Sequence, residues 1–390
     1  MRAFTHSRRH TRSRSLGLSL VELMVAITIG AILLGGAVTL FVNNRDTYNT
    51  TTELSRLQET ARYALEMMVK DIRMAGYFGC ANRLDTVTVS HGAAAGADGE
   101  LWDFNLDGGA GTIVPPIEGL DDGALGAGFQ PSGFAVVVGN DGDGGEVLAG
   151  SDGIALRYLA GNMSDLGGTA GTLDYQVTAD AVAGADIDIT VDQATGFIDD
   201  QVIAIADCGG SDIFRINAAP TTTVVRANQL SRGYNAASSP MIAPYIGVRY
   251  YIGDNGRGPG GQVYPSLYRT RILPGVTPLA EEPQELFEGV ENMQILYGVD
   301  NDGDGIPDSF VQAGVAPLDV ADNWANVVAV RVAIVVRTID EYGRADDLNV
   351  DTSTYVVNDH DGINFAEFDP PNDRRRRRVF TTTAMVRNLG

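Results

Sequence analysis

The chain has 390 residues, of which 44% are hydrophobic, and a formal net charge of −22. That length can bury a large core in one domain or two, and so acidic a balance argues against nucleic acid or anionic lipid as the main partner. The four histidines include His6 and His10 near the start, and no G-x-S-x-G, H-E-x-x-H or C-x-x-C occurs, so no catalytic constellation is offered and the chain reads as a non-enzyme.

Residues 1–16 carry Arg2, Arg8, Arg9, Arg12 and Arg14 and no acid. No charge occurs from Leu23 to Val42. A helix of that length is about 30 Å long, one hydrocarbon thickness. The basic leader should stay cytoplasmic and everything after Val42 should lie outside. Glu22 stands at the front of this run, where a mid-bilayer charge costs about 2.5–3.5 kcal/mol. A plain anchor could keep it at the interfacial edge. Beyond the span, Leu54, Leu57, Ala61, Leu65, Met68 and Ile72 recur at three- and four-residue steps and form one apolar stripe. Gly76 is a natural stop. One helix is therefore predicted from about Leu18 to Ala75, its second half packed on a sheet.

Few strand signals occur in residues 85–150 before FAVVVG (134–139). Short β-like runs follow at Ile154–Leu159, Ile187–Val191, Val202–Ala206, Thr222–Arg226, Ile246–Ile252, Gln262–Arg271 and Leu286–Tyr297. The best strand is Val327–Arg337, where Val330, Val332, Ile334 and Val336 alternate with a more polar set, Arg331, Ala333, Val335 and Arg337. Val379–Arg387 closes the chain. Strands without interleaved long helices imply an antiparallel sheet and the α+β class.

Two cysteines, Cys80 and Cys208, imply one disulfide in an oxidising periplasm, against two buried free thiols. The stretch VDNDGDGIPD places Asp300, Asp302, Asp304 and Asp308 at alternate-residue spacing with Gly305 after the third. Calcium takes six to eight oxygens, and such a loop can aim carboxylates inward, with the Ile306 carbonyl as a further ligand. Position 12 of the loop is Val311 and not Glu, so a ligand must come from elsewhere. The other reading is a solvated turn. Asp103-x-Asn105-x-Asp107-Gly108 and Asn140-Asp141-Gly142-Asp143 are weaker copies, read as polar loops. GRGPGG (256–261) matches a dinucleotide fingerprint but precedes a strand, so it reads as a turn. The arginine run Arg374 to Arg378 reads as a solvated loop balanced by nearby acids, with a partner protein as the alternative.

Gly17, then Leu18-Ser19-Leu20-Val21-Glu22 and the apolar run, resembles the type IV prepilin signal. The resemblance implies cutting after Gly17 by a prepilin peptidase, which also methylates Leu18, where the family usually has Phe. It implies that Glu22 meets the N-terminal amine of a neighbouring subunit, which makes the carboxylate cheaper in lipid. Further along, DIRMAGYFGC (71–80), SDGIALRY (151–158), PQELFEGVENMQILYGVDNDGDGIPD (283–308), NVVAVRVAIVVRT (326–338) and RRVFTTTAMVRNLG (377–390) together resemble the PilW family of minor pilins. The implied organisation is a cleaved leader (1–17), a transmembrane half-helix (18–42), a periplasmic half-helix (43–76) and a β-rich head (77–390). The resemblance implies a single-pass inner-membrane protein, N-terminus cytoplasmic and head periplasmic. It would join other minor pilins and the major pilin in a priming complex, enter the fibre at its tip, and serve twitching motility. A large tip adhesin is a further implied partner. A minor pseudopilin of a type II secretion system and a calcium-dependent pilus-anchored adhesin remain alternatives.

Overall fold

Helix α1 (Leu20–Met74) is followed by β1 (Val87–Val89), β2 (Ile117–Leu120), β3 (Gly153–Leu159), β4 (Tyr175–Gln176), β5 (Ile189–Thr190), β6 (Val202–Asp207), β7 (Gly210–Ala218), β8 (Thr223–Arg226) and β9 (Met241–Asp254). Then come β10 (Pro265–Ile272), β11 (Gln284–Glu288), β12 (Val290–Val299), β13 (Ser309–Val311), β14 (Val327–Arg337), β15 (Tyr355–Val357), β16 (Ala366–Phe368) and β17 (Arg377–Met385). The structure, a computed structural model, describes residues 19–80, 87–89, 115–120, 148, 150–160, 175–183, 188–193, 197, 201–218, 222–226, 230–258, 263–272, 283–341, 350–357 and 366–388. The FAVVVG run and the two weaker Asp/Asn motifs lie outside these residues. The chain divides into two units, Met1–Leu54 and Ser55–Gly390.

In the first unit the helix exposes its apolar side chains all round, Leu20, Ile32 and Leu34 among them, and holds a window of mean hydropathy 2.4. The threonines of the span do not leave a bare hydroxyl. Thr28 Oγ1 donates to Val25 O and Thr39 Oγ1 to Gly35 O, each at 2.9 Å. Such back-bonding is how a helix carries hydroxyls through a medium without water.

In the second unit the helix buries Leu57, Ala61, Ala64, Met68, Asp71 and Ile72 against the sheets. Leu65, expected in the buried stripe, is only half-buried, while Ala64 and the acidic Asp71 take positions on the buried face. Small Ala61 and Ala64 let the backbone approach, and full burial of Met68 and Ile72 contributes about 1.5–3 kcal/mol each.

An eleven-stranded sheet runs β11-β10-β9-β6-β7-β8-β5, with β3, β4, β2 and β1 joined at its sides. The fourteen-residue β9 is its axis, pairing with β10, β3, β6 and β4. A four-stranded sheet has the order β13-β12-β14-β17, and β15 and β16 form a hairpin. Described ladders are antiparallel, as the α+β reading required, apart from β1 on β7. The segment ahead of β3 ties the two larger sheets together. Asp152 N donates to Met293 O at 2.8 Å, and Ile295 N donates to Asp152 Oδ2 at 2.7 Å.

Three sequence expectations change. Leu286–Tyr297 is not one strand, because the chain breaks between β11 and β12 at Gly289. The second face of β14 is not a polar exterior: only Arg331 in that strand is half-buried, and Ala333 and Val335 pack under Val357 of the β15–β16 hairpin. Strand β7 was not anticipated, since Asp212 and Arg215 interrupt its apolar alternation.

Candidate functional site

Gly17 and Leu18 lie outside the described residues. Helix α1 starts directly after them with a reciprocal cap. Glu22 N donates to Ser19 Oγ at 3.2 Å, and Ser19 N donates toward Glu22 Oε2 at 3.4 Å. This is the S-x-x-E capping box, which satisfies donors that the first turn leaves open. Glu22 therefore has a task within its own chain that the sequence reading did not assign, although Ser19-Leu20-Val21-Glu22 carries the signature.

The other end of α1 is held from several sides. Tyr250 Oη in β9 donates to Asp71 Oδ2 at 2.5 Å, and Arg269 Nη1 in β10 lies 4.0 Å from the same oxygen. Burial, together with the charge of Asp71, raises the Tyr250 phenol well above its ordinary pKa, so it stays a donor. Asn388 Nδ2 donates to Arg73 O at 3.1 Å and to Ala75 O at 3.3 Å, covering carbonyls at the helix end. Cys80 and Cys208 are joined in a disulfide across 128 residues, with Cα atoms 4.5 Å apart. Closing so long a loop restricts the unfolded chain by up to about 5 kcal/mol in the chain-entropy view.

The acidic loop joins β12 to β13. Asp300 is buried, and its carboxylate accepts from Gly303 N and Gly305 N at 2.7 Å and from Asp302 N at 3.2 Å. Those backbone donors, Gly305 first, hold the Asp300 carboxyl below its usual range. Gly303 and Gly305 adopt φ of 81° and 82°, the left-handed region in which glycine is favoured. Carboxylate oxygens of Asp300, Asp302 and Asp304 all lie within 4.8 Å of one another. The Asp302 carboxyl is raised: a backbone hydrogen bond from Asp304 N opposes this, but the Asp304 charge, desolvation and the charges of Asp308 and Asp300 prevail. Of the expected ligands, the structure thus gathers three. Asp308 accepts from Asn301 N at 2.7 Å and is not in that group, and the Ile306 side chain is exposed. The three carboxylates and the tight turn suit a hard divalent cation with oxygen ligands.

Most of the arginine run is the loop expected before the last strand, with Arg376 and Arg378 exposed and Arg374 and Arg375 against Glu341 and Asp373, but Arg377 departs from it. The run leads into β17, and Arg377 is fully buried. Arg377 Nε donates to Glu291 Oε2 at 2.6 Å, and its Nη atoms donate to Asp373 at 2.8 and 3.0 Å and to Asp351 at 3.3 Å. Arg337 Nη1 donates to the same Glu291 at 3.0 Å. Arg375 and Arg337 both lie over the Tyr264 ring, at 5.5 and 5.0 Å. Sequence spacing gave no sign of this, because Glu291, Arg337 and Arg377 sit on three different strands. Gly256 and Arg257 of GRGPGG form a turn into β10, as expected; residues 259–262 lie outside the described set.

Residues 12–38 match the family described as prokaryotic N-terminal methylation motif, and residues 249–388 match Type IV Pilus-assembly protein W. Over residues 249–388 the chain is similar to the PilW family of type IV pilus-assembly proteins, and its N-terminus carries a prepilin-type methylation motif; together these support a minor pilin of the type IV pilus. No curated protein and no solved structure matches it. The PilW match takes in β10 to β17 with part of β9, and so contains the acidic loop, the Glu291 network and Asn388. The methylation match takes in Gly17, Leu18 and Glu22. Pilin-family domains are structural, and the methylation motif together with a long apolar N-terminal helix suggests a membrane-anchored pilin.

Proposed function

We propose that this PilW-family chain works by association. A prepilin peptidase cuts after Gly17 and methylates Leu18, and α1 holds the protein in the inner membrane with its head periplasmic. There it joins other minor pilins and the major pilin in a complex that primes fibre assembly, and it enters the fibre at the tip. The observation that carries this reading is the pairing of a methylation motif on the apolar helix with a PilW match on the sheet region. N-terminal mass spectrometry of membrane and fibre fractions tests it, together with co-purification of the other pilins. A methylated Leu18 and partner pilins in the eluate are expected. An intact Met1 in cells that make fibres would overturn the processing step.

The acidic loop extends the proposal. Asp300, Asp302 and Asp304 would hold a calcium ion, with the Ile306 carbonyl and Asp308 completing the set as the loop adjusts. Supporting this are the convergence of the three carboxylates and the raised Asp302 carboxyl, which a cation would relieve. When bound, the ion would offset part of the loop's negative charge and fix the crossing from β12 to β13.

A further inference from the structure

Strand β17 is the outer strand of the four-stranded sheet. It pairs with β14 from Ala329↔Met385 to Arg337↔Arg377 without a register shift. In an antiparallel ladder, hydrogen-bonded and non-bonded pairs alternate. The phase is set at both ends, where Thr338 N donates to Arg376 O and Val386 N donates to Val328 O, each at 2.9 Å. Even-numbered residues of β17 therefore turn their backbone groups toward β14. Val379, Thr381, Thr383 and Met385 turn theirs away, and among the described residues no strand pairs with that side. Thr381, Thr383 and Met385 are exposed.

Sheets guard such edges with proline, bulges, charge or shortness. The edge strand β11 of the larger sheet is guarded: its ladder shifts register, and Glu285 and Glu288 lie against Arg257. The opposite edge of the four-stranded sheet is the three-residue β13. By contrast, β17 is nine residues long, with neither proline nor bulge. Its threonines lie between two exposed arginines, Arg378 and Arg387, and no ion pair engages either among the described residues.

We propose that the outer edge of β17 receives an added strand from a partner chain. The fitting segment is extended, rich in β-branched residues, and acidic at both ends, where it meets Arg378 and Arg387. Backbone bonds supply the attachment and the end charges set the register. A second copy of this chain fits less well, since RRVFTTTAMVR holds no acid to meet the same arginines. This inference does not depend on tip placement or on the priming complex.

The test uses the full chain in detergent micelles and a synthetic peptide of alternating threonine and valine with glutamates at each end. Amide exchange should slow at Val379, Thr381, Thr383 and Met385 on binding and stay unchanged at Phe380, Thr382 and Ala384. Thr383→Pro removes an outward N–H and leaves the β14 ladder intact, since proline is tolerated where the N–H faces outward on an edge strand. It should abolish binding. Arg378→Glu with Arg387→Glu should weaken binding by about tenfold and restore it for a lysine-ended peptide. Absence of protection at saturating peptide overturns the proposal, even if the proline variant fails to fold. So does equal binding of the lysine-ended peptide to the unaltered chain, or a dimer crosslinked through β17.

Discussion

Arg377→Ala should destabilise the Ser55–Gly390 unit by about 3–5 kcal/mol, the usual result of removing one partner from a buried ion cluster. The same change at Arg378 should cost less than about 0.5 kcal/mol, as for an exposed side chain without special contacts. Arg377 is fully buried and hydrogen-bonds three carboxylates, so its loss leaves buried Glu291 with Arg337 and strips Asp373 of two donors. Acid sensitivity should change as well. Burial raises the Asp373 carboxyl, but hydrogen bonds from Arg377 and Arg375 more than reverse this, and the net shift is downward. Asp351 is also lowered, burial being outweighed by Tyr355, Ser353 and Arg377. A lowered folded pKa gives stability that is present above the unfolded value and is lost as pH falls through the folded one. The unaltered protein should therefore lose stability below about pH 4, and Arg377→Ala should lose less over that range. Urea unfolding followed by tryptophan fluorescence, at neutral pH and at several acid values, measures both effects. Equal midpoints for Arg377→Ala and Arg378→Ala, or an unchanged acid slope, would refute the reasoning.

Gly119→Ala should lower the melting temperature, since a Cβ there would overlap the Tyr297 Oη and Cζ atoms. Tyr297 is buried against Trp324 and has little room, so the overpacking should cost about 1–3 kcal/mol; an unchanged melt would show that the ring moves freely. Calcium should stabilise the Ser55–Gly390 unit by about 2.7 kcal/mol at a hundredfold excess over the dissociation constant, and so raise its melting temperature. Asp302→Ala with Asp304→Ala should remove that increment, and identical melts with and without calcium in both proteins would leave the loop a turn. Glu22→Ala should insert normally yet lose partner pilins on co-purification, whereas Ser19→Ala, which removes only the capping hydroxyl, should keep them. Equal loss in both would assign Glu22 to the cap alone.

The sequence revealed those features that repeat along the chain. The span and the stripe from Leu57 to Ile72 were legible because helical periodicity is local, and β14 because its apolar run is long. The acidic loop was legible because its ligands lie within a few residues. Pairings between distant strands were not. Arg377 looked like its neighbours in the run, and only the register of β17 on β14, and of β14 on β12, decides that it points at Glu291. Asp71 drew no reading from the sequence, because its partners, Tyr250 and Arg269, follow at long separations. Strand β7 was hidden by polar side chains, of which its position in the middle of the larger sheet buries Ser211 and Asp212.

The cap on α1 bears on how the protein is made. Arg73 and Ala75 are synthesised early, and the amide that covers their carbonyls belongs to Asn388. The helix therefore leaves the ribosome with its end open and stays so until residue 388 has followed. The same wait applies to β14, whose outer neighbour β17 is the last strand. Folding of the Ser55–Gly390 unit cannot be completed domain-piece by domain-piece from its N-terminal side, and a chain truncated before residue 377 would present β14 as a bare, apolar edge. The fold of this unit thus waits on residues 377–388, which supply both the outer strand of the four-stranded sheet and the amide that closes the helix end.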